Sequence, residues 1–297
     1  MREPPPHLGD SEVLAAVREH WDDAVDRVEH RLVGFGAHHW AAYDGRTPRL
    51  FITFDALEPR HTPGSLEAAY AGAAELHEHG VDFVLAPLPT TGSAVILPLA
   101  GGALSCTPWR QGRSGGPLDT TWTATALTRL HSTPPPSGLP RWQPLVGADF
   151  ADTTAALAAR AWGPGPYADP ARDAVRRHLA EIAGWTERYH RLAHQARDRV
   201  WVATHGEPHS DNQLLTADGR LLVDWESLKL APAERDLRTL VDAGVQTAAA
   251  TGMLELFDLE WRLDEISQYA AWFAAPHTGD ADDEIAFGGL VEELERA

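Results

Sequence analysis

The chain has 297 residues, of which 43% are hydrophobic, and a formal net charge of −18 at pH 7. The length allows one large domain or two modest ones with a substantial core. The strongly negative charge argues against a nucleic-acid partner, because phosphate backbones are bound by an excess of Lys and Arg. The single cysteine, Cys106, excludes an intrachain disulfide and a multi-cysteine zinc site and favours a reducing cytoplasm.

Membrane insertion and secretion are not expected either. No apolar run approaches the ~18 residues that cross a bilayer. The first ten residues are rich in proline and charge, and they lack the basic and apolar regions of a secretory signal. The acidic composition favours a cationic ligand and accounts equally well for mere solubility.

The first hundred residues predict a strand-strand-helix-strand-strand layout. The five elements are expected over residues 31–43, 49–55, 65–79, 82–88 and 94–99. The helix is expected to be capped by Ser65 and to end before Gly80. Gly101 to Pro117 reads as a loop.

Helical patterns dominate the rest of the chain. Asp119–His131 is predicted to be a helix, and a long amphipathic helix is predicted over residues 169–197, where apolar residues recur at spacings of three and four. Asp169 is its expected N-cap. From about residue 233 the chain is expected to be mostly helical.

A polar segment between two apolar strands carries the chemistry. Strand residues 200–204 lead into the loop His205–Asn212, and a hairpin of two short strands then ends on Asp224. This hairpin is expected to bring the loop and Asp224 to the same end of neighbouring strands. Carboxylate and carboxamide oxygens gathered there suit Mg²⁺ that also binds phosphate. Phosphoryl transfer needs such a metal, a carboxylate that orients the hydroxyl, and fixed geometry.

Three stretches in this region resemble the aminoglycoside phosphotransferase family of small-molecule kinases. They are His205-Gly-Glu-Pro-His-Ser-Asp-Asn212, Leu222-Val-Asp-Trp-Glu226 and Ala231-Pro-Ala-Glu-Arg-Asp-Leu237. The resemblance implies an α+β, protein-kinase-like bilobal fold. A small β-rich lobe over residues 1–100 would bind the nucleotide, and a larger, mainly helical lobe over residues 101–297 would carry catalysis and bind the acceptor.

The resemblance also implies roles for individual residues of the polar segment. Glu207 stands where the family has a catalytic Asp, which accepts or orients the proton of the acceptor hydroxyl. His205 matches the residue that braces the loop. Asn212 and Asp224 match the two Mg²⁺ ligands.

For the nucleotide, either ATP or GTP, the resemblance points to three places. The turn Gly34-Phe35-Gly36 would cover the phosphates, and Leu97 to Leu99 would form the hinge against the base. Thr53 falls where the family carries a lysine to the α- and β-phosphates.

The expected glutamate partner of that lysine also falls near an uncharged residue, Ala69, although Glu67 and Glu75 are close in sequence. The missing positive charge could come in part from His38, His39 or Arg49.

The leading hypothesis is transfer of the γ-phosphate of ATP or GTP to a hydroxyl of a small polar molecule, for which a cationic, aminoglycoside-like molecule is one candidate. Thr53 and Glu207 together also allow a catalytically silent binding protein. His205 and His209 with neighbouring carboxylates allow a metal-dependent hydrolase. The acidic run Asp280–Glu284 is either a solvated helix start or a site for a cationic acceptor.

Overall fold

The computed structural model describes residue 5 and residues 7–34, 36–57 and 60–296. The chain forms two compact units, of which unit 1 comprises Met1–Trp142 with Val200–Ala248 and unit 2 comprises Gln143–Arg199 with Ala249–Ala297. These units follow internal contacts rather than the predicted lobes, so a lobe boundary at residue 100 stays a prediction.

The first part of unit 1 is a sheet with helices on its two faces. Its elements are α1 (Asp10–His20), β1 (Arg27–Arg31), β2 (His38–Asp44), β3 (Thr47–Ala56), α2 (Pro63–Glu78), β4 (Leu97–Leu99) and β5 (Gly102–Pro108). The strands are antiparallel and lie in the order β1-β2-β3-β5-β4. Strand β3 is therefore central, between β2 and β5.

The remaining elements complete unit 1 and form unit 2. They are β6 (Gly112–Arg113), α3 (Thr120–Ser132), α4 (Phe150–Ala158), α5 (Ala168–Arg177), α6 (Leu179–Ala196), β7 (Trp201–Thr204), β8 (Gln213–Thr216), β9 (Gly219–Leu222), β10 (Lys229–Pro232), α7 (Glu234–Asp242), α8 (Thr251–Ala274) and α9 (Ala281–Glu295). A 3₁₀ turn over Ser210–Asn212 precedes β8. Strands β6, β8 and β9 form a small sheet, and β7 pairs with β10.

Alternation along β3 separates two hydrophobic clusters of unit 1. Because successive side chains of a strand point to opposite faces, Ile52 and Phe54 join one cluster with α1, whereas Thr53 and Asp55 face the other side. The second cluster contains residues of α2, α3, β7 and β9 together with Trp225. The polar loop that begins at His205 therefore starts beside a closely packed core.

The predicted α+β class is confirmed, with an antiparallel sheet at the N-terminus and a helical C-terminal part. In the part of the chain that the structure describes, no helix is long and apolar enough to cross a membrane.

The predicted single strand over residues 31–43 is wrong. Strand β1 ends at Arg31, and β2 begins at His38. Gly34 and Gly36 have φ of 69° and 96°, a left-handed conformation that favours glycine and breaks a strand. Phe35 lies outside the described residues.

Two predictions around β5 are also wrong. The predicted loop over residues 101–117 contains β5, whose buried run Ala103–Cys106 pairs with β3; flanking glycine and proline concealed this strand. The predicted strand over residues 82–88 is absent, and Val84 makes an isolated bridge to Leu222. Of the predicted strand 94–99, the part Leu97–Leu99 forms β4.

The helix predictions hold in outline and fail at some boundaries. The helix predicted over residues 169–197 is divided between α5 and α6 at His178, which has φ of −107°. Tyr167, not Asp169, is the N-cap of α5. The N-cap of α2 is Thr62, whose hydroxyl accepts a hydrogen bond from the backbone N–H of Ser65, the predicted cap. Helix α4 was not predicted.

The sheet core gives a test of the fold. Leu104 is 0% exposed and packs with Ile52 and Phe54, so Leu104→Ala is expected to lower the free energy of unfolding by about 2–5 kcal/mol. Leu32 is 68% exposed, and Leu32→Ala is expected to change it by no more than about 0.5 kcal/mol. Urea unfolding of both variants measures the difference, and equal losses would contradict this packing.

Candidate active site

The polar loop is attached to the core through His205. The side chain is fully buried, and its Nε2 donates to the backbone oxygen of Val223 at 2.8 Å. Its Nδ1 accepts from the backbone N–H of Glu207 at 3.2 Å. Burial, which outweighs the charge of Asp236, lowers the pKa of His205 to about 4. A neutral His205 with both ring nitrogens engaged thus ties the loop to the segment that precedes Asp224.

Asp236, at the start of α7, holds the backbone of the same loop by hydrogen bonds. Its carboxylate is 0% exposed and accepts from the backbone N–H groups of His205 at 3.1 Å and Gly206 at 2.6 Å. Nε2 of His131, on α3, lies 2.9 Å from the same carboxylate. Burial opposes ionisation of Asp236, but the hydrogen bond and charge of His131 and the charge of Arg235 outweigh it and lower the pKa of Asp236.

Arg235, the neighbour of Asp236, holds two other parts of the chain. Its guanidinium donates to the hydroxyl of Thr204 at 3.1 Å and to the backbone oxygen of Ser227 at 3.0 Å. Gly206 lies against the guanidinium with φ of 101°, and a Cβ at this position would collide with Arg235. Only glycine therefore fits between His205 and Glu207.

Glu207 is a partly buried carboxylate beside His209. Its Oε2 lies 3.7 Å from His209 Nε2. Burial raises the pKa of Glu207, but the interaction with His209 and the positive charge of Arg60 outweigh this and lower the pKa to about 2. Glu207 is therefore ionised at neutral pH.

Asn212 lies beside Val223, the residue that precedes Asp224. The backbone N–H of Val223 donates to the backbone oxygen of Asn212 at 2.9 Å, directly beside the β8–β9 pairing. The Asn212 amide nitrogen donates to the backbone oxygen of Glu207 at 3.0 Å, so a metal would take the amide oxygen. Asp224 has a left-handed backbone, with φ of 69°, a strained conformation that is common at functional sites.

Like charges surround Asp224. Asp224 is exposed as a residue, and neighbouring protein groups still remove part of the hydration of its carboxyl. Desolvation and the charges of Glu207 and Asp55 raise the pKa of Asp224 to about 6, against a hydrogen bond with Glu226 that lowers it. Burial and the charges of Asp224 and Glu207 raise the pKa of Glu226 well above its usual value.

Two carboxyl groups of this cluster were not predicted from the sequence. Glu226 lies in a stretch that carries the resemblance, and its buried Oε2 accepts no hydrogen bond from any described residue. Asp55 lies on β3 and is 5% exposed. Burial and the charge of Glu226 raise the pKa of Asp55 to about 7, despite a hydrogen bond from Tyr70. No sequence signal pointed to Asp55, since an Asp within an apolar strand reads as an exposed residue.

The donor set fits a divalent metal shared with a phosphate group. A cluster of carboxyls with raised pKa values, together with an unsatisfied acceptor on Glu226, would be stabilised by a cation. In the described ranges, no three His, Cys, Asp or Glu side chains are arranged to hold a metal by themselves. Mg²⁺ needs only one or two protein carboxylates when phosphate oxygens and waters complete its shell.

Two of the predicted phosphate-contacting residues, Gly34 and Thr53, lie against the same side chain, His39. His39 Nδ1 is 3.3 Å from the hydroxyl of Thr53, and the His39 ring packs beside Gly34. Burial lowers the pKa of His39 to about 3, so His39 is neutral and does not supply the missing charge. Arg49 pairs with Asp22 at 2.9 Å.

The predicted hinge residues lie on the far edge of the same sheet. Leu97 pairs with Leu104 and Leu99 with Gly102, so β5 separates β4 from the strand that carries Thr53. Both Leu97 and Leu99 are half-buried.

The acidic run Asp280–Glu284 in unit 2 is a helix start. The Asp280 carboxylate accepts from the backbone N–H groups of Asp282 and Asp283, both at 3.0 Å, and so caps α9. Asp283 accepts from the indole N–H of Trp272 at 2.7 Å. These contacts account for the run without a cationic ligand.

Comparison with known proteins identifies the class. The model of the phosphotransferase enzyme family matches residues 30–280, and the chain belongs to this family. The chain is 30% identical over 253 residues to Protein StrN of Streptomyces griseus, an alignment that covers 79% of each protein. The predicted enzyme class, a phosphotransferase, is thereby confirmed.

Solved structures confirm the protein-kinase-like α+β fold. Spectinomycin phosphotransferase APH(9)-Ia, in complex with ADP and spectinomycin, matches with a TM-score of 0.72 and 13% identity over 98% of this chain and 99% of that chain. A microcompartment-associated aminopropanol kinase matches with a TM-score of 0.62 and 13% identity over 96% of this chain and 95% of that chain. Identity at this level shows a shared fold.

The raised pKa of Asp55 predicts a pH dependence of stability. An unfolded Asp titrates near ~3.9, whereas native Asp55 titrates at about 7. The native state binds more protons than the unfolded state between these values, so this group makes stability fall as pH rises through that window. Asn cannot ionise and keeps an oxygen for Tyr70. Asp55→Asn should therefore lose less unfolding free energy than the wild type between roughly pH 5 and pH 8.

Urea unfolding at both pH values measures this difference. Asp218→Asn, in the exposed turn between β8 and β9, serves as the matched control and should follow the wild type. A pH slope for Asp55→Asn equal to that of the wild type would contradict the assignment.

Proposed function

We propose that this phosphotransferase transfers the γ-phosphate of ATP or GTP, bound with Mg²⁺, to a hydroxyl group of a small polar molecule. One observation carries the proposal: the β8–β9 hairpin sets Asn212 beside the segment that leads to Asp224, and the ionised Glu207 lies in the same loop as Asn212. Two oxygen ligands and a carboxylate in fixed positions are what phosphoryl transfer requires.

Glu207 would orient the acceptor hydroxyl. Its carboxylate accepts a hydrogen bond from that hydroxyl and takes the proton as the new O–P bond forms. A pKa of about 2 makes Glu207 a weak base, so positioning is its larger contribution. Phosphoryl transfer through a loose transition state tolerates a weak base, because little proton removal is needed before the phosphoryl group moves. His205 holds the backbone N–H of Glu207 and so fixes where this carboxylate lies.

Asn212 and Asp224 would hold the metal. A bound Mg²⁺ neutralises charge on the phosphates during transfer. The chain favours its binding because the ionised forms of Asp224, Glu207 and Asp55 repel one another without a cation. Glu226, beside Asp224, adds to this repulsion.

The nucleotide would lie against the five-stranded sheet of unit 1. Gly34 and Gly36 would approach the phosphates, Thr53 would face them from β3, and Leu97 and Leu99 would contact the base. Because Thr53 stands where the family has a lysine, no lysine would contact the phosphates from this position. The charge of Arg60 acts on both Glu207 and Asp224, which makes Arg60 a candidate source of positive charge at the phosphates.

The acceptor is proposed to be a small, cationic, aminoglycoside-like molecule. The net charge of −18 favours such a ligand, and a spectinomycin phosphotransferase shares the fold. Nucleic acid and membrane are not expected as partners, and the single buried cysteine is compatible with a cytoplasmic location.

A catalytically silent binding protein is the second candidate. It is favoured by Thr53, whose neighbour His39 is neutral, so that no charge replaces the lysine at this position. This alternative predicts no phosphoryl transfer and weak or metal-independent nucleotide binding. A metal-dependent hydrolase is disfavoured, because both ring nitrogens of His205 are hydrogen-bonded within the loop and its support.

Replacement of Glu207 tests the proposed chemistry. Glu207→Gln keeps the side-chain length but removes the proton acceptor, so turnover should fall by about 10²–10⁴-fold while nucleotide affinity changes little. ADP or GDP formation is measured with a panel of aminoglycosides that includes spectinomycin and hygromycin B, and nucleotide affinity is measured by calorimetry. Glu187→Gln on α6, whose side chain is 81% exposed, is the control. Undiminished turnover of Glu207→Gln would rule out its proposed role.

A further inference from the structure

A buried hydrogen bond joins helix α2 to the central strand β3. The Tyr70 hydroxyl donates to Asp55 Oδ2 at 2.8 Å, and the two residues are 3% and 5% exposed. The proposed chemistry gives neither residue a contact with the nucleotide, the metal or the acceptor. Burial of a carboxyl group lowers stability unless a hydrogen bond replaces its hydration. In this pair, the hydroxyl and the carboxyl each have such a partner.

The carboxylates of α2 that were considered as lysine partners are engaged elsewhere. Glu67 accepts from the backbone N–H groups of Val95 and Ile96, both at 3.0 Å, just before β4. Glu75 accepts from Ser137 at 3.3 Å. Ala69 is buried and has no polar group in its side chain. The polar link from α2 to β3 is therefore made by Tyr70.

Helix α2 thus holds two parts of the sheet that are proposed to contact the nucleotide. Asp55 and Thr53 are two residues apart on β3, so they lie on the same face, and the bond to Tyr70 fixes that face. Through Glu67 the same helix holds the segment that leads into Leu97. Thr53 and Leu97 are therefore both positioned from one rigid helix.

The pair also lies near the carboxylates proposed to bind metal. The pKa of Tyr70 is raised well above its usual value, first by burial, then by the charge of Asp55 and by those of Glu226 and Asp224.

We propose that the Tyr70–Asp55 hydrogen bond is a positioning link for the nucleotide, which holds the Thr53 face of β3 in a fixed position relative to the hinge strand β4. This inference rests on the proposed function. The link joins the strand and helix that a lysine–glutamate pair would join, but it adds no positive charge, so nucleotide affinity depends on geometry and on the metal.

Tyr70→Phe tests the link, because it removes one hydroxyl and keeps the ring. Calorimetric titration with ATP in the presence of Mg²⁺ should show a dissociation constant roughly tenfold higher than that of the wild type, the size expected for one hydrogen bond to a carboxyl group. In turnover assays KM for the nucleotide should rise while KM for the acceptor stays the same.

A matched control lies in unit 2. The Tyr189 hydroxyl donates to Glu260 Oε2 at 2.6 Å, another buried tyrosine–carboxyl bond. Tyr189→Phe should lower the unfolding temperature and leave nucleotide affinity unchanged. A tenfold loss of nucleotide affinity in Tyr189→Phe would show that general destabilisation causes the effect, and would overturn the inference.

A conservative variant separates positioning from charge. Asp55→Asn keeps an oxygen for the Tyr70 hydroxyl, so its nucleotide affinity should exceed that of a variant that cannot accept this hydrogen bond. Asp55→Val removes the acceptor and should reproduce the tenfold loss, which keeps the inference testable if Tyr70→Phe does not fold. Wild-type affinity in a folded Tyr70→Phe or Asp55→Val variant would overturn the link and leave the proposed function standing. A wild-type protein that binds no nucleotide would overturn both.

Discussion

The geometry of the site depends on one buried carboxylate, Asp236. It accepts hydrogen bonds from two consecutive backbone N–H groups, those of His205 and Gly206, and is paired with His131. An ionised group with no access to solvent is tolerated because these three donors replace its hydration. The loop between β7 and β8 is thus held at its first two residues, and Glu207, the next residue, starts from a fixed point. Asn212 then closes the loop by donating to the backbone oxygen of Glu207.

Negative charge is concentrated where this loop meets β9. Asp224 and Glu226 have raised pKa values because they are enclosed with other carboxyl groups, whereas Glu207 stays ionised beside His209 and Arg60. Repulsion among these carboxylates would favour binding of a divalent cation. Such a cation would also coordinate the phosphate oxygens of a nucleotide. If the proposed function holds, positive charge at Thr53 is less necessary, since a bound metal and Arg60 would offset the charge of the phosphates.

The sequence predicted the part of this site that is local in the chain. The hairpin that places Asn212 beside the residue before Asp224 was predicted, because a short hairpin leaves little choice of register. Partners distant in sequence could not be predicted: Asp55 and Tyr70 meet only after β3 and α2 have packed, and nothing in their neighbourhoods marks them. Local propensity also failed for β5, which lies between glycine and proline but forms a strand because it pairs within the sheet. It failed again at His178, where the predicted helix breaks although neither glycine nor proline stands there.

The central claim is that Asp224 and its neighbours bind a nucleotide through a divalent metal. It is tested most directly by calorimetric titration of the wild type and of Asp224→Asn with ATP, and in parallel with GTP, in the presence and absence of Mg²⁺. The wild type is expected to bind at least one nucleotide much more tightly with Mg²⁺ than without it. The Asp224→Asn variant is expected to lose this difference. Equal affinity of the wild type with and without the metal, or no binding of either nucleotide, would contradict the claim.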